Sequence, residues 1–219
     1  KDMVLGVYYL TMEDKTDLTG AGRVFGNIDE VELAFQLEQV HIHTKIKIRA
    51  KTWYSENKDR LLNAETRIID TTVGRVLFNR ILPEEVQFIN EKLEKGAVKD
   101  LIADVYELCG EQETTAVADR IKEIGFEYAM RSGSTIAVAD ISMPEDKPEI
   151  LARAQQGVEN VQKAFRRGLL TEQERNEREI DIWQQTTKDV ADAVRRSMDP
   201  NGNLATMANS GATKGGFGP

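Results

Sequence analysis

The chain has 219 residues, 40% hydrophobic and 30% charged, which is ordinary for a globular protein and long enough for one or two modest cores. A formal net charge of -8 argues against a free-standing protein that grips nucleic acid through bulk positive charge, although not against membership of a larger nucleic-acid machine. No run of about 18 apolar residues exists to span a membrane, the N-terminus lacks a charged-then-apolar leader pattern, and Cys109, the one cysteine, cannot form an internal disulfide. These features fit a reducing, cytoplasmic setting, and both ends, Lys1 and Gly215-Gly-Phe-Gly-Pro219, read as cut from something longer.

Residues 3 to 11 are apolar, β-branched and aromatic with one internal glycine, which predicts a buried strand, a short helix being the alternative. A polar, glycine-containing loop follows to Gly26. Asn27 with Glu30 resembles a capping box that opens an amphipathic helix through Val31, Leu33, Ala34, Phe35 and Leu37. From Val40 to Lys51 apolar and polar residues alternate, predicting a half-exposed strand whose outer face carries His41, His43, Lys45, Lys47, Arg49 and Lys51. Two histidines at i and i+2 can ligate a metal, but zinc needs further ligands and none is close in sequence, so a solvated face is the expectation.

Lys51 to Ala64 reads as a loop or an exposed hairpin connection, and Arg67 to Thr72 as a strand running into a threonine-capped helix. Leu82-Pro83 ends that helix. Further helices are expected at about 84–93, 96–109 and 115–131, the last two separated by Gly110 and a polar linker. The stretch from Tyr128 ends a helix at Gly133 and then alternates into another strand.

Pro148 to Met198 predicts a long antiparallel helical hairpin. Ile150, Ala154, Val158, Val161 and Phe165 recur at spacings of four, four, three and four, a narrow coiled-coil-like seam. Ile180, Trp183, Thr187, Val190 and Val194 repeat that rhythm on the second arm. Between them Gly168 suits the left-handed residue that ends a helix, and Thr171 with Glu174 forms a capping box that starts the next. Pro148 fits the first turn, where its missing amide donor costs nothing. At about 1.5 Å per residue the shorter arm reaches roughly 27 Å, so the hairpin is expected to protrude from its body.

No catalytic constellation is assembled by these residues. The phosphate-loop, C-x-x-C, H-E-x-x-H and G-x-S-x-G patterns are all absent. Glu174 with Arg178 and Asp192 with Arg196 are ordinary helix-surface pairs. Two features invite a functional reading beside a structural one. Lys214 in its glycine setting suits either a flexible tail or a close phosphate contact. Arg166 and Arg167 complement a helix C-terminus, and an exposed turn at the end of a long arm is also a natural docking point.

Six ordered segments resemble the beta-prime subunit of bacterial RNA polymerase: Asp2-Met-Val-Leu-Gly-Val-Tyr-Tyr-Leu-Thr11, His43-Thr-Lys-Ile-Lys-Ile-Arg49, Thr71-Thr-Val-Gly-Arg75, Gly125-Phe-Glu-Tyr-Ala129 with Arg131-Ser-Gly133, Gly168-Leu-Leu-Thr-Glu-Gln-Glu-Arg175 with Ile182-Trp183, and Met207-Ala-Asn-Ser-Gly-Ala212. The resemblance implies a fragment of a DNA-directed RNA polymerase, a nucleotidyltransferase, lying between the aspartate-rich loop that holds the catalytic magnesium and the bridge helix. The family's Asn-Ala-Asp-Phe-Asp-Gly-Asp motif is absent here, so the fragment alone should hold no metal or other cofactor and be inactive.

It further implies a pore and funnel around the secondary channel through which nucleoside triphosphates enter. The hairpin would be the rim helices on which transcript-cleavage and related channel factors dock, through Arg166, Arg167, Gly168, Leu169, Leu170, Thr171, Glu174 and Arg175. Implied partners are the beta, alpha and omega subunits, with DNA, RNA and triphosphate in the complete enzyme. The family's Ser-Gly-Ala-Arg-Gly reads Ser-Gly-Ala-Thr-Lys here, so the substrate-path role passes to Lys214 as a point charge without the bidentate fork. Of an alarmone site that some relatives build, only Asp119 remains, with Gln112 and Glu123 at the other matching positions.

The expected architecture is therefore α+β, mainly helical. It comprises a body at 1–141, a hairpin at 142–199 and a glycine-rich segment at 200–219 leading toward a catalytic core supplied elsewhere. The rival reading is a free-standing adaptor whose hairpin is a protein-interaction arm.

Overall fold

A computed structural model describes residues 1–13, 18–53, 64–137, 140, 143–199 and 202–213. The chain divides into two compact units, one formed by Lys1–Thr135 with the segment that begins at Thr206, the other by Ile136–Ala205. The fold is mainly helical with one small mixed sheet, as the sequence predicts. Among the described residues no helix is long and apolar enough to cross a membrane.

The first unit begins with a helix, α1 (Asp2–Thr11), where the sequence predicts a strand. The reason is burial on almost every side. Gly6, Val7, Tyr8, Leu10 and Thr11 are all enclosed, which erases the one-sided periodicity that marks a surface helix. Gly6 makes the crossing with a later helix possible, since a Cβ there would overlap the carbonyl of Gly125 and stand 2.6 Å from the amide nitrogen of Ala129. Gly74 lies equally close to the Leu10 carbonyl.

The sheet contains β1 (Val24–Phe25), β2 (Lys45–Trp53) and β3 (Ala64–Thr72), with β2 in the middle. β1 runs parallel to β2, pairing Val24 with Lys47, and β2 with β3 is an antiparallel hairpin from Lys45↔Thr72 to Trp53↔Ala64. Residues 54–63 of the predicted connection lie outside the described residues. Ile46, Ile48 and Ala50 point into the core while Lys45, Lys47 and Arg49 stay outside, as the alternation predicts.

The predicted strand starts too early, however. Val40 to Thr44 is a turn closed by the Thr44 N–H on the His41 carbonyl at 3.0 Å, so His43 turns inward. It is only 6% exposed, and its Nε2 lies 2.7 Å from the Tyr9 carbonyl, whereas His41 remains outside.

Helix α2 (Ile28–Gln36) is capped by Asn27, whose side chain accepts the Glu30 N–H at 2.9 Å. The reciprocal half of the box is displaced by one residue, because Glu30 accepts from the N–H of Gly26. Its buried stripe is Val31 and Ala34, with Leu33 and Leu37 left exposed. Helix α3 (Val73–Asn79) is capped by Thr72 as predicted.

The expected helix at 84–93 is not formed. Asn79 clamps the main chain of Ile89 with both ends of its amide, at 2.8 and 2.7 Å, and Arg75 donates to the Asn90 carbonyl at 3.3 Å. Thr11 then takes the N–H of Leu93 at 2.9 Å. Side chains from distant elements thus capture main-chain groups that a helix would have paired internally.

The two helices expected at 96–109 and 115–131 lie within α4 (Lys95–Arg131), and they are interrupted at Gly110 as predicted, where φ of 81° and ψ of -179° are non-helical. The intervening linker is helical, and Thr114 and Thr115 bond back to the carbonyls of Gly110 and Glu111 instead of capping a restart. Beyond Arg131 the described residues 134–137 form no strand, since Ser132 and Ser134 bond to one another and to nearby backbone and Asp140 accepts the Ala137 N–H, while 138–139 and 141–142 of the expected strand lie outside the described residues. A single core cluster that includes Leu10, Val31, Ile48, Phe78, Val105 and Ile121 unites these elements.

The second unit contains α5 (Lys147–Arg166) and α6 (Glu172–Ser197), antiparallel and joined by a short turn. Helix α7 (Asn203–Asn209) closes the described chain, and the following Ser210 carbonyl accepts the Lys95 N–H at 3.1 Å, which satisfies an otherwise open amide at the start of α4.

Gly6→Ala should destabilise the chain by about 3 kcal/mol because two main chains would have to separate. Gly96→Ala, where nothing lies within 4 Å, should stabilise it by roughly 0.5 kcal/mol. Urea midpoints of the two variants check this, and the reverse order would refute the close crossing.

Candidate functional site

The turn between α5 and α6 is built by local chemistry. Gly168 adopts φ of 72°, its N–H reaches the Phe165 carbonyl at 2.9 Å and the Leu169 N–H reaches the Ala164 carbonyl at 3.1 Å. This is the Schellman closure, and it turns the chain through the left-handed conformation that glycine adopts without strain. Two residues later the capping box is complete. Thr171 accepts the Glu174 N–H at 3.3 Å, and the Glu174 carboxylate accepts both the N–H and the hydroxyl of Thr171, at 2.8 and 2.9 Å. The main-chain bond, then the hydroxyl, hold the Glu174 carboxyl below its usual range.

The predicted docking residues divide into two groups. Arg166 and Arg167 are exposed and form no ion pair among the described residues, and Leu169 is 70% exposed at the apex. Leu170 is half-buried. Arg175 differs from the expectation of a presented cation. Its guanidinium lies 4.7 Å from the Phe165 ring centroid, with Asn176 Oδ1 at 2.8 Å and Glu172 Oε1 at 3.5 Å. Its side chain is only 26% exposed, and its Nε is enclosed without a hydrogen-bond partner. Arg175 therefore ties the second arm to the first, a cation–π contact that the i-to-i+4 spacing of the sequence cannot reveal.

The seam of the hairpin is half as predicted. On α5, Ala154 and Val158 are buried while Ile150, Val161 and Phe165 are partly so. On α6 the inward residues are Ile182, Thr186, Val190 and Ala193, one position removed from the predicted frame at Ile180, Trp183 and Thr187. Gly157 makes room for Ile182, whose Cδ1 stands 3.4 Å from where a Cβ would be. Thr186 donates to the Ile182 carbonyl at 2.6 Å and so presents only its methyl to the seam. Two frames one residue apart have nearly the same spacing, and only the packing of α5 selects between them.

Sequence reading also missed a cleft of 810 Å³ in the first unit, bordered by Tyr9, Phe35, His41, Arg80, Tyr128 and Arg131. Its charges are mutually engaged: Arg80 pairs with Glu32 and with Asp29 at 3.3 Å, and Arg131 with Glu127 at 2.9 Å. Burial raises the Tyr9 and Tyr128 phenols above their usual range, so both remain protonated near neutrality. The His41–His43 pair was the only signal in the sequence for this region. Asp119 pairs with Lys122 at 2.6 Å on the exposed side of α4. Among the described residues no three His, Cys, Asp or Glu side chains converge as a metal site requires. Lys214 lies outside the described residues.

The residues that build this unit, from α1 through the sheet to α4, are matched by a known family profile. RNA polymerase Rpb1, domain 3, matches residues 1–141, and the chain belongs to that family. Its relatives include the DNA-directed RNA polymerase subunit beta' of Desulforamulus reducens, 42% identical over 97% of this chain, and those of Heliobacterium modesticaldum at 36% and Alkaliphilus metalliredigens at 37% over the same share. The chain spans 17 to 18% of the length of these relatives.

The cap at Thr171 carries a pH dependence of definite sign. The folded hairpin holds Glu174 more acidic than the unfolded chain does, so this stabilisation is complete above the usual 4.5 and is lost as pH falls through the lower folded value. Amide exchange at Thr171 and Glu174 should accelerate in that acid window, and Glu174→Gln should abolish the dependence. Thr171→Ala should cost about 1 kcal/mol in hairpin stability at neutral pH.

Proposed function

We propose that the chain is a working segment of the beta-prime-type subunit of a multisubunit, DNA-dependent RNA polymerase, and that it serves nucleotidyl transfer without supplying the catalytic residues. One observation carries this: 97% of the chain aligns at 42% identity with a beta' subunit. In this reading the magnesium that such an enzyme uses is held by another part of the subunit. In this reading residues 1–141 form the wall of the channel by which triphosphate enters, residues 200–219 lead toward the catalytic core, and Lys214 meets the triphosphate as a point charge. Beta, alpha and omega subunits, DNA and RNA are its partners, in the cytoplasm.

The hairpin at 142–199 docks transcript-cleavage and related channel factors. What supports this is the division of labour at its turn. Gly168, Thr171, Glu174 and Arg175 are engaged in building the reversal, which leaves Arg166, Arg167 and Leu169 to face a partner. Two unpaired cations beside an exposed leucine suit a surface with acidic groups around an apolar hollow.

In assembled polymerase, Arg167→Glu should weaken binding of a transcript-cleavage factor about tenfold, while Glu149→Gln at the base of the hairpin leaves it unchanged. Fluorescence anisotropy reads both, and unaltered affinity in Arg167→Glu removes the turn from the docking surface. Sequencing the DNA on either side of the coding segment tests the wider reading, which expects an aspartate-rich loop encoded upstream and a bridge-helix segment downstream.

A further inference from the structure

The cleft of the first unit is bordered by three polar groups that the fold leaves without partners. Tyr128 is only 5% exposed, yet its hydroxyl makes no hydrogen bond among the described residues, and neither does that of Tyr9 on the same border. A phenol enclosed to that degree normally has a partner. Both phenols stay protonated near neutrality, so each oxygen can accept a hydrogen bond as well as donate one.

The third group is Glu38. It follows the end of α2 with φ of 55°, and among the described residues no other non-glycine residue has a positive φ. Its N–H reaches the Phe35 carbonyl at 3.0 Å and the Gln39 N–H reaches the Ala34 carbonyl at 2.9 Å, a Schellman closure in which glycine would sit without strain. A glutamate held there against its backbone preference sets a carboxylate on the border of the cleft, and that carboxylate has neither an ion pair nor a hydrogen bond among the described residues. Strain retained beside a cleft points to a use for the side chain that causes it.

We propose that this cleft binds a small organic cation, a primary ammonium carried on an apolar chain. Charge selects the sign. The two cations on the border are already answered, Arg80 by Glu32 and Asp29 and Arg131 by Glu127, so an anion would meet no open positive group, whereas Glu38 offers an open negative one. Hydrogen bonding selects the head group. An ammonium brings only donors, and the acceptors left open are the Glu38 carboxylate and the two phenol oxygens. The rest of the lining suits the chain: Phe35 presents an aromatic ring that a cation favours, and Ile81 and Ile124 offer apolar surface. A volume of 810 Å³ is within the range of small-molecule sites. The cleft lies wholly in the first unit and is independent of the polymerase reading and of the turn at Gly168.

Heteronuclear NMR titration of the full chain with n-butylammonium tests this, beside n-butanol and butanoate, which keep the chain and change the charge. The expected result is saturable shifts at the amides of Phe35, Glu38 and Tyr128, with a Kd of about 1 mM for the ammonium and binding roughly tenfold weaker or less for the other two. Glu38→Gln should weaken butylammonium about tenfold and Tyr128→Phe about threefold. Glu149→Gln, at an exposed carboxylate of the hairpin, should leave it unchanged. Glu38→Gly separates the two roles of that position, since it should raise the thermal midpoint by relieving the backbone while losing affinity as Glu38→Gln does. Absence of saturable shifts at the cleft, butanol binding as tightly as the ammonium, butanoate binding more tightly, or full affinity in either Glu38 variant overturns the proposal.

Discussion

The first unit depends on one close approach of main chain to main chain. Gly6 in α1 meets Gly125 in α4 with no room for a side chain on either, since a Cβ on Gly125 would stand 2.7 Å from the Met3 carbonyl. Gly74 at the start of α3 repeats the device against Leu10. With α1 gripped on two sides, Thr11 at its end can receive the Leu93 N–H, and Arg75 can donate to the Thr11 carbonyl at 3.1 Å. The irregular segment before α4 is thereby fixed, and so is the point from which α4 departs. A loss of either glycine would be felt far from where it sits, because backbone cannot yield as the end of a flexible side chain can.

The second unit is organised on the opposite principle. Its reversal needs almost nothing from long-range contacts: a glycine with positive φ, two carbonyls closed by the following amides, and a threonine and a glutamate that satisfy each other. Local satisfaction of that kind keeps an exposed turn ordered while leaving its remaining side chains uncommitted. Arg175 adds one non-local bond, over Phe165, and its removal from the set of presented cations narrows the proposed docking surface to Arg166, Arg167 and Leu169.

These two designs suit the division of labour proposed above. A wall must hold its contour, and interlocked backbone with a continuous core does that. A docking arm must present a defined tip, and capped helix ends do that with little buried area.

The sequence by itself determined what depends on neighbours along the chain. The caps at Asn27, Thr72 and Thr171, the glycine reversal at Gly168, the inward seam of α5 and the in–out alternation of β2 from Lys45 were all legible, because each follows from residues within a turn or a strand of one another. The ordered motifs made the family legible as well. Tertiary structure alone decided the rest. α1 is a helix buried on almost every side, and such enclosure leaves no one-sided periodicity to read. Residues 84–93 are not helical because Asn79, Arg75 and Thr11 take their main-chain groups from a distance. His43 is buried because the chain turns before β2 begins, and Ile182 rather than Trp183 faces α5 because heptad spacing fixes a rhythm but not which of two adjacent stripes will meet a partner.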